Sequence, residues 1–308
     1  MDLSRQELVI GKDAQKKLEN AKIAIVGIGA LGSLTAELLV RSGVKHLILI
    51  DRDFIEGSNL QRQHMFLASD IGKPKVEVAK KFLNGINKKA KVKCYFDNLD
   101  HKNIDIIDSD LVLDCTDNMQ TRFLVNDYCK KNKIKWIFSS AIKGQGYVYN
   151  VSPKGPCFNC IFESLQSPGT CESFGVLNTV TSMISSIQVN EAIKIIINKN
   201  PEKDLIYLDV DKNDILKIKV NNKNSCSVCS GEYKRLNGGG DLHAVNLCMG
   251  SSYLFDKPKK VKKRNFIGAK KFGKVFKYKE MTVFKDKILI KAKSEREAKN
   301  LYSKYIGN

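Results

Sequence analysis

At 308 residues, the chain is long enough for one large domain or two modest ones, with a sizeable core. Hydrophobic residues at 43% and charged residues at 28% exclude wholesale disorder, and no apolar run reaches the ~18 residues of a membrane-spanning helix. Lys and Arg outnumber Asp and Glu by 52 to 33, a formal charge of +19 that points to nucleic acid, an acidic partner or a Lys-rich composition. The charges at Asp2, Arg5 and Glu7 stand where a secretory apolar segment would have to be, so a cytoplasmic location is expected. The nine cysteines are then expected as thiols or metal ligands rather than disulfides.

In chain order, Lys22–Gly27 is a β-branched apolar run ending in glycine and predicts a buried strand. Leu31–Ser42 has helical spacing and closes at Gly43. His46–Ile50 predicts a second buried strand, ending at Asp51. Helix is expected over Val76–Leu83 and Arg122–Lys131, and strand over Val92–Phe96, Asp110–Asp114 and Lys135–Ser139. This alternation predicts an α/β fold: a doubly wound, mostly parallel, Rossmann-like sheet with helices on both faces.

After about residue 140, Gly144, Gly146, Pro153, Gly155, Pro156, Pro168 and Gly169 predict short pieces. A long helix over Val176–Ile197 and two strands within Leu205–Val220 follow. Asn237–Gly240 is expected as a flexible linker, Met281–Phe284 and Ile288–Ile290 as a hairpin turning at Asp286, and Ser294–Tyr305 as a helix. The chain is thus read as a nucleotide-binding half at 1–140, a second half of the same domain at 141–236, and a linker with a small basic α+β module at 237–308. From Lys257 to Lys293 there are fifteen Lys or Arg against two acids, Glu280 and Asp286, a net +13. The remaining +6 leaves the rest of the chain only mildly basic.

Gly27-Ile28-Gly29-Ala30-Leu31-Gly32 is a Gly-x-Gly-x-x-Gly between a strand and a helix. Such a loop lets backbone N–H groups and a helix N-terminus approach phosphate. Asp51, at the end of the next strand, stands where a carboxylate accepts from ribose hydroxyls. Together they indicate an adenine nucleotide without separating a dehydrogenase from an ATP user. Asn59 and Arg62 follow the ribose carboxylate, Lys75 opens a helix, and Asp117 follows a strand. Singly, Arg62 and Lys75 read as surface charges and Asp117 as a helix N-cap. Together they supply the cations and the Mg²⁺-binding carboxylate that a triphosphate needs and a redox dinucleotide does not.

Cys157-Phe158-Asn159-Cys160 and Cys226-Ser227-Val228-Cys229 form two Cys-x-x-Cys pairs with 65 residues between them. Four thiolates in this pattern suit closed, structural Zn²⁺ better than a redox pair, and the fold must bring them together. Cys115, Cys129 and Cys94 read as core thiols.

This combination resembles the MoeB/ThiF/HesA family, relatives of the ubiquitin-activating enzymes, from Arg5 to about Cys229. The resemblance implies ATP-dependent adenylation of the C-terminal Gly-Gly of a ubiquitin-like sulfur carrier, feeding molybdopterin, thiamine or tRNA thiolation. It implies that Asp51 binds ribose, that Asn59, Arg62 and Lys75 hold phosphates, and that Asp117 is associated with Mg²⁺. Arg5 of Arg5-Gln6 matches a residue that completes the partner subunit's ATP site, which implies a homodimer. The family carries the same two Cys pairs. Cys171 lies in a segment similar to the one that holds a reactive cysteine in some members; it is either that nucleophile or a non-essential loop thiol. The end of the chain resembles a small C-terminal module of some prokaryotic members.

Phe266, Phe272, Phe276 and Tyr278 lie among the basic residues there, so the charge is open to tRNA contact, to an acidic carrier or to a solvated face. No membrane partner is expected. Two alternatives stand beside this reading: an NAD-dependent Rossmann oxidoreductase, and a zinc-stabilised tRNA-binding protein with a degenerate nucleotide site.

Overall fold

The computed structural model describes residues 1–162, 175–238, 245–246, 252–257 and 268–306. Cys171, Cys248, Phe266 and the Gly239–Gly240 end of the expected linker lie outside the described residues. The chain divides into two compact units, Met1–Asn237 and Gly238–Asn308.

In the first unit, α1 (Ser4–Ile10) and α2 (Lys12–Asn20) lead into β1 (Lys22–Val26), α3 (Ala30–Arg41), β2 (His46–Asp51), α4 (Lys75–Ile86) and β3 (Lys91–Phe96). Then come β4 (Leu111–Asp114), α5 (Met119–Lys131), β5 (Lys135–Ile142), β6 (Gln145–Val151) and α6 (Phe158–Phe162). α7 (Asn178–Ile196), β7 (Leu205–Asp209) and β8 (Asp214–Ile218) complete it. The strands form one sheet in the order β3-β2-β1-β4-β5-β6-β7-β8. The first five are parallel, with Ile23 of β1 opposite both Leu47 and Leu111; β6, β7 and β8 are antiparallel.

The alternation of side chains along a strand builds the two layers. Ile23, Ile25, Leu47, Leu49, Leu111 and Leu113 enter one core, where α3, α4 and α7 add Leu39, Val76 and Ile184. Ala24, Val26, Ile48, Ile50, Val112 and Trp136 enter the other, where α5 adds Val125 and Cys129. The expected doubly wound sheet is present.

Three departures have physical causes. First, α1 and α2 carry no strong apolar stripe: α1 buries no residue at all, and Leu8 and Val9 are exposed. Second, the glycines after residue 140 do not break the sheet, because β5 turns directly into β6. Gly146 sits inside β6 since a Cβ there would run into Ile184 of α7. Third, Lys143, at the turn, adopts φ 54° and pairs with Val176, so the expected start of the long helix is a bridge and α7 begins at Asn178.

The second unit is antiparallel. Its strands β9 (Val245–Asn246), β10 (Ser252–Asp256), β11 (Lys270–Phe272), β12 (Val275–Tyr278), β13 (Met281–Val283) and β14 (Lys287–Lys291) follow the order β11-β12-β13-β14-β10-β9. The expected hairpin is β13–β14, closed by the Phe284 N–H donating to the Lys287 carbonyl at 2.9 Å. α8 (Glu295–Tyr305) is capped by the Ser294 hydroxyl and packs Ala298 against Met281, Ile288 and Ile290.

Candidate active site

The glycine loop joins β1 to α3. Gly27 has φ 89°, and a Cβ there would lie 2.8 Å from the Cys115 carbonyl oxygen of the β4 end. A Cβ on Gly32 would collide with the Gly27 carbonyl. Gly29 is different: around its missing Cβ the nearest atom is Gln63 Nε2 at 3.9 Å, so this face of the loop is open. Two of the glycines thus fold the loop, and the third leaves room for a ligand over the α3 N-terminus.

Asp51 ends β2 and is tied to the loop. Its carboxylate accepts from the Ile28 N–H at 2.6 Å and from the Asp53 N–H at 2.7 Å. Burial pushes its pKa up, against the opposing pull of Lys75. Lys75, the first residue of α4, is buried and donates to Asp53 Oδ2 at 3.2 Å. Burial disfavours its charge, but the carboxylates of Asp53, Asp51 and Asp117 outweigh that and raise its pKa, so it is a firm ammonium. The strand-like pairing of Phe54 with Pro74, and the Lys75 N–H donating to the Asp53 carbonyl at 3.1 Å, bring the two segments together. Asp51, Lys75 and Asp117 therefore converge, with Asp53 as a fourth member.

Asp117 is exposed on the β4–α5 loop. It is not the helix cap: Asn118 caps α5, accepting from the Thr121 N–H at 2.9 Å, which leaves the Asp117 carboxylate for other use. The loop is clamped from below by Arg122. Its Nε donates to the fully buried Asp114 at 3.2 Å, its Nη2 to the carbonyls of Thr116 and Ser139, and its guanidinium lies 4.9 Å from the Phe138 ring centroid. A single exposed carboxylate at this place is of the kind that suits Mg²⁺, an ion that takes few protein ligands and completes its shell with other oxygens.

Asn59 is buried and accepts from the Glu56 N–H at 3.1 Å; it fixes the turn that carries Arg62. Arg62 is half-buried and turned toward its own loop, with Nη1 donating to the Ser58 carbonyl at 2.9 Å. Arg5 is exposed on α1, and no hydrogen bond or ion pair holds it among the described residues. Its neighbour Gln6 anchors that helix, donating to Gln15 Oε1 at 2.7 Å and to the Ser42 carbonyl at 2.8 Å.

On the opposite face, Cys157, Cys160, Cys226 and Cys229 place their sulfurs within 4.8 Å of one another. Cys157 lies 3.5 Å from Cys226 and 3.9 Å from Cys160, and Cys160 lies 3.6 Å from Cys229. A tetrahedral Zn²⁺ with Zn–S of ~2.3 Å spaces its sulfurs by about 3.8 Å, so the four cysteines fit the ion. α5 holds the first pair: Asn126 accepts from the Phe158 N–H and donates to Asn159 Oδ1, both at 3.0 Å. It also holds the chain after the second pair, where the Arg235 N–H donates to Asp127 at 3.2 Å. Cys115 and Cys129 are buried thiols as expected; Cys94 is half-buried, and burial pushes its pKa up to about 12.

The sequence pattern of the ThiF family matches residues 3–229. The chain belongs to the ThiF family. Among its relatives, the SAMP-activating enzyme E1 of Haloferax volcanii is 32% identical over 227 residues, covering 71% of this chain and 84% of that protein. The sulfur carrier protein ThiS adenylyltransferase of Bacillus subtilis is 36% identical, covering 68% of this chain and 65% of that protein. In the adenylyltransferase and sulfurtransferase MOCS3 of Drosophila willistoni, 35% identical, only 53% is covered. A crystal structure of E. coli MccB with ATP matches with TM-score 0.66 at 25% identity, covering 74% of each chain.

Three members of this ThiF-family site were not legible as functional from sequence. Asp53 is two residues past Asp51, and only the Phe54–Pro74 pairing reveals its role. Arg122 read only as the start of a helix, and Gln63 follows Arg62 in the sequence without an assigned role. The pattern Asp114-x₇-Arg122 offered a signal, since a buried strand-end acid requires a cation nearby.

Proposed function

We propose that this chain is an ATP-dependent adenylyltransferase acting on the C-terminal Gly-Gly carboxylate of a ubiquitin-like sulfur carrier. The observation that carries the reading is the buried, charged Lys75 set among Asp51, Asp53 and Asp117 beside an open glycine loop, in a ThiF-family chain. The carrier's carboxylate oxygen attacks the α-phosphorus of ATP, the α–β phosphoanhydride bond breaks, and pyrophosphate leaves with the electron pair. No base is needed because the nucleophile is already ionised, so catalysis rests on positioning and electrostatics. Lys75 and Arg62 balance phosphate charge, Asn59 orients the phosphate-binding turn, and Asp51 binds ribose. Asp117 holds Mg²⁺, which when bound offsets charge on the phosphates. Arg5 reaches the site of a second copy, which makes a homodimer the working form. The four cysteines hold Zn²⁺ as a structural ion. Cys171 is not required for adenylation.

The half at 141–236 receives the carrier. Its outermost strand β8 exposes Ile215, Leu216 and Ile218, an apolar surface of the kind that marks a protein partner. The test is ATP–pyrophosphate exchange with a purified ubiquitin-like sulfur carrier ending in Gly-Gly. Exchange is expected only with the intact tail and is lost in Asp117→Ala. Exchange that persists with a carrier lacking Gly-Gly overturns the substrate, and wild-type exchange in Asp117→Ala overturns that residue's role.

A further inference from the structure

The ten residues Lys270–Lys279 hold five lysines, three aromatics and no acid, and they form the outer hairpin of the second unit, β11 and β12. The antiparallel register sets Lys271 opposite Phe276, Phe276 opposite Val283 and Tyr278 opposite Met281, so all of them share the face that α8 covers. Under α8, Met281 and Val283 are buried with Ala298, and Tyr305 meets Tyr278 edge-on at 5.5 Å. The cover ends there: Phe276 is 38% exposed. Lys271 Nζ lies 5.9 Å from the Phe276 ring centroid. Lys279 Nζ donates to the Tyr305 hydroxyl at 3.1 Å, and Lys304 Nζ lies 5.4 Å from the Tyr305 ring centroid. Two other lysines of the unit are matched by acids, Lys287 by Asp256 at 3.1 Å and Lys299 by Glu295 at 2.7 Å. By contrast, Lys271, Lys274, Lys279 and Lys304 have no carboxylate within ion-pair distance among the described residues, although exposed Glu280 follows in the chain.

We propose that this hairpin face binds single-stranded nucleic acid: a base stacks on Phe276, and Lys271, Lys274, Lys279 and Lys304 take the flanking phosphates. An aromatic ring left in water and a ring of unmatched like charges each cost free energy. A strand of alternating bases and phosphates relieves both at once, because every base has a π-face and every linkage a negative charge. An acidic polypeptide answers the charge but leaves the ring without a stacking partner. A duplex keeps its bases stacked on each other and away from the ring. The proposal goes beyond the adenylyltransferase reading and does not rest on it, since all of these residues lie in Gly238–Asn308.

The experiment measures, by fluorescence anisotropy over a series of salt concentrations, binding of the full chain to a mixed-sequence single-stranded RNA of about 12 nucleotides. Duplex RNA of the same length and polyglutamate serve as competitors for the same protein. Phe276→Ala is expected to weaken single-strand binding by about 5- to 100-fold, the loss of one stacked base, and Phe276→Trp to restore it. Should Phe276→Ala not fold, Phe276→Leu keeps the apolar bulk without the π-face and carries the same comparison. The double variant Lys271→Gln, Lys274→Gln is expected to make the slope of log affinity against log salt shallower by about 1.4, two phosphate contacts at about 0.7 each. A loss below about fivefold in Phe276→Ala, or an equal loss in Phe276→Trp, overturns the proposal. So does polyglutamate or duplex RNA competing as well as the single strand, or a wild-type chain that binds no single strand at low salt.

Discussion

With Zn²⁺ in the four-cysteine cluster, as proposed, its removal is expected to cost the first unit a large part of its stability. Cys160 and Cys226 are 66 positions apart, so the ion closes a long loop. The entropy of cross-linking such a loop amounts to about 4 kcal/mol. In a unit of this size, 1 kcal/mol shifts the melting temperature by about 2–4 °C, so the expected fall is about 8–16 °C. The assay follows the melting temperature of the full chain and its zinc content by elemental analysis, in wild type with and without a strong chelator and in the double variant Cys226→Ser, Cys229→Ser. The released tail would uncover Val228, which is 1% exposed, and the partly buried Tyr233 and Leu236, so dye binding to apolar surface should rise with it. Melting within about 2 °C of wild type, in protein shown to be free of metal, refutes the cross-link argument.

Gly29→Ala should fold normally, because the nearest atom to the added methyl is 3.9 Å away, yet lose ATP binding by about tenfold or more as the methyl fills the phosphate approach. Gly32→Ala forces a clash with the Gly27 carbonyl and should lose about 1–3 kcal/mol in denaturant unfolding. Arg122→Ala strands the Asp114 carboxylate, whose pKa burial already raises, and should destabilise by about 3–5 kcal/mol; Arg122→Lys should fold but exchange pyrophosphate more slowly through a loosened Asp117 loop. Glu202 has its pKa lowered, first by the Lys217 hydrogen bond at 2.7 Å and then by the Asp204 N–H. A lowered folded-state pKa contributes stability above the unfolded value of about 4.3 that is lost as pH falls through the folded one. NMR titration should show Lys217→Ala moving Glu202 back toward the ordinary range.

The centre of the parallel half was legible because β1, β2 and β4 are unbroken apolar runs buried on both faces, such as Lys22-Ile23-Ala24-Ile25-Val26, each closing at Gly or Asp. β6 was not, since Gly146 reads as a breaker until the approach of Ile184 is seen. α1 hides for another reason: it buries nothing and is held by Gln6 rather than by an apolar stripe. The four-cysteine cluster was readable from Cys spacing, whereas the partnership of Asp53 with Lys75 spans 22 residues and depends on the pairing of two irregular segments. Asn59 and Arg62 were singled out by their place after Asp51 and by resemblance, because the turn bearing them has no periodicity.

α5 is one helix with two duties. Its first turns carry the Asn118 cap and the Arg122 clamp that set the Asp117 loop, and its middle carries the Asn126 and Asp127 contacts that hold both sides of the cysteine cluster. An α-helix of 13 residues transmits tilt and fraying along its length as a near-rigid rod. The cysteine end and the carboxylate end therefore rest on the same helix. Thermodynamic linkage makes any such coupling reciprocal: if metal loading improves ATP affinity by some factor, ATP must improve metal retention by the same factor. With such a coupling, under metal scarcity a nucleotide-bound chain would be the last to surrender an ion held by the four cysteines.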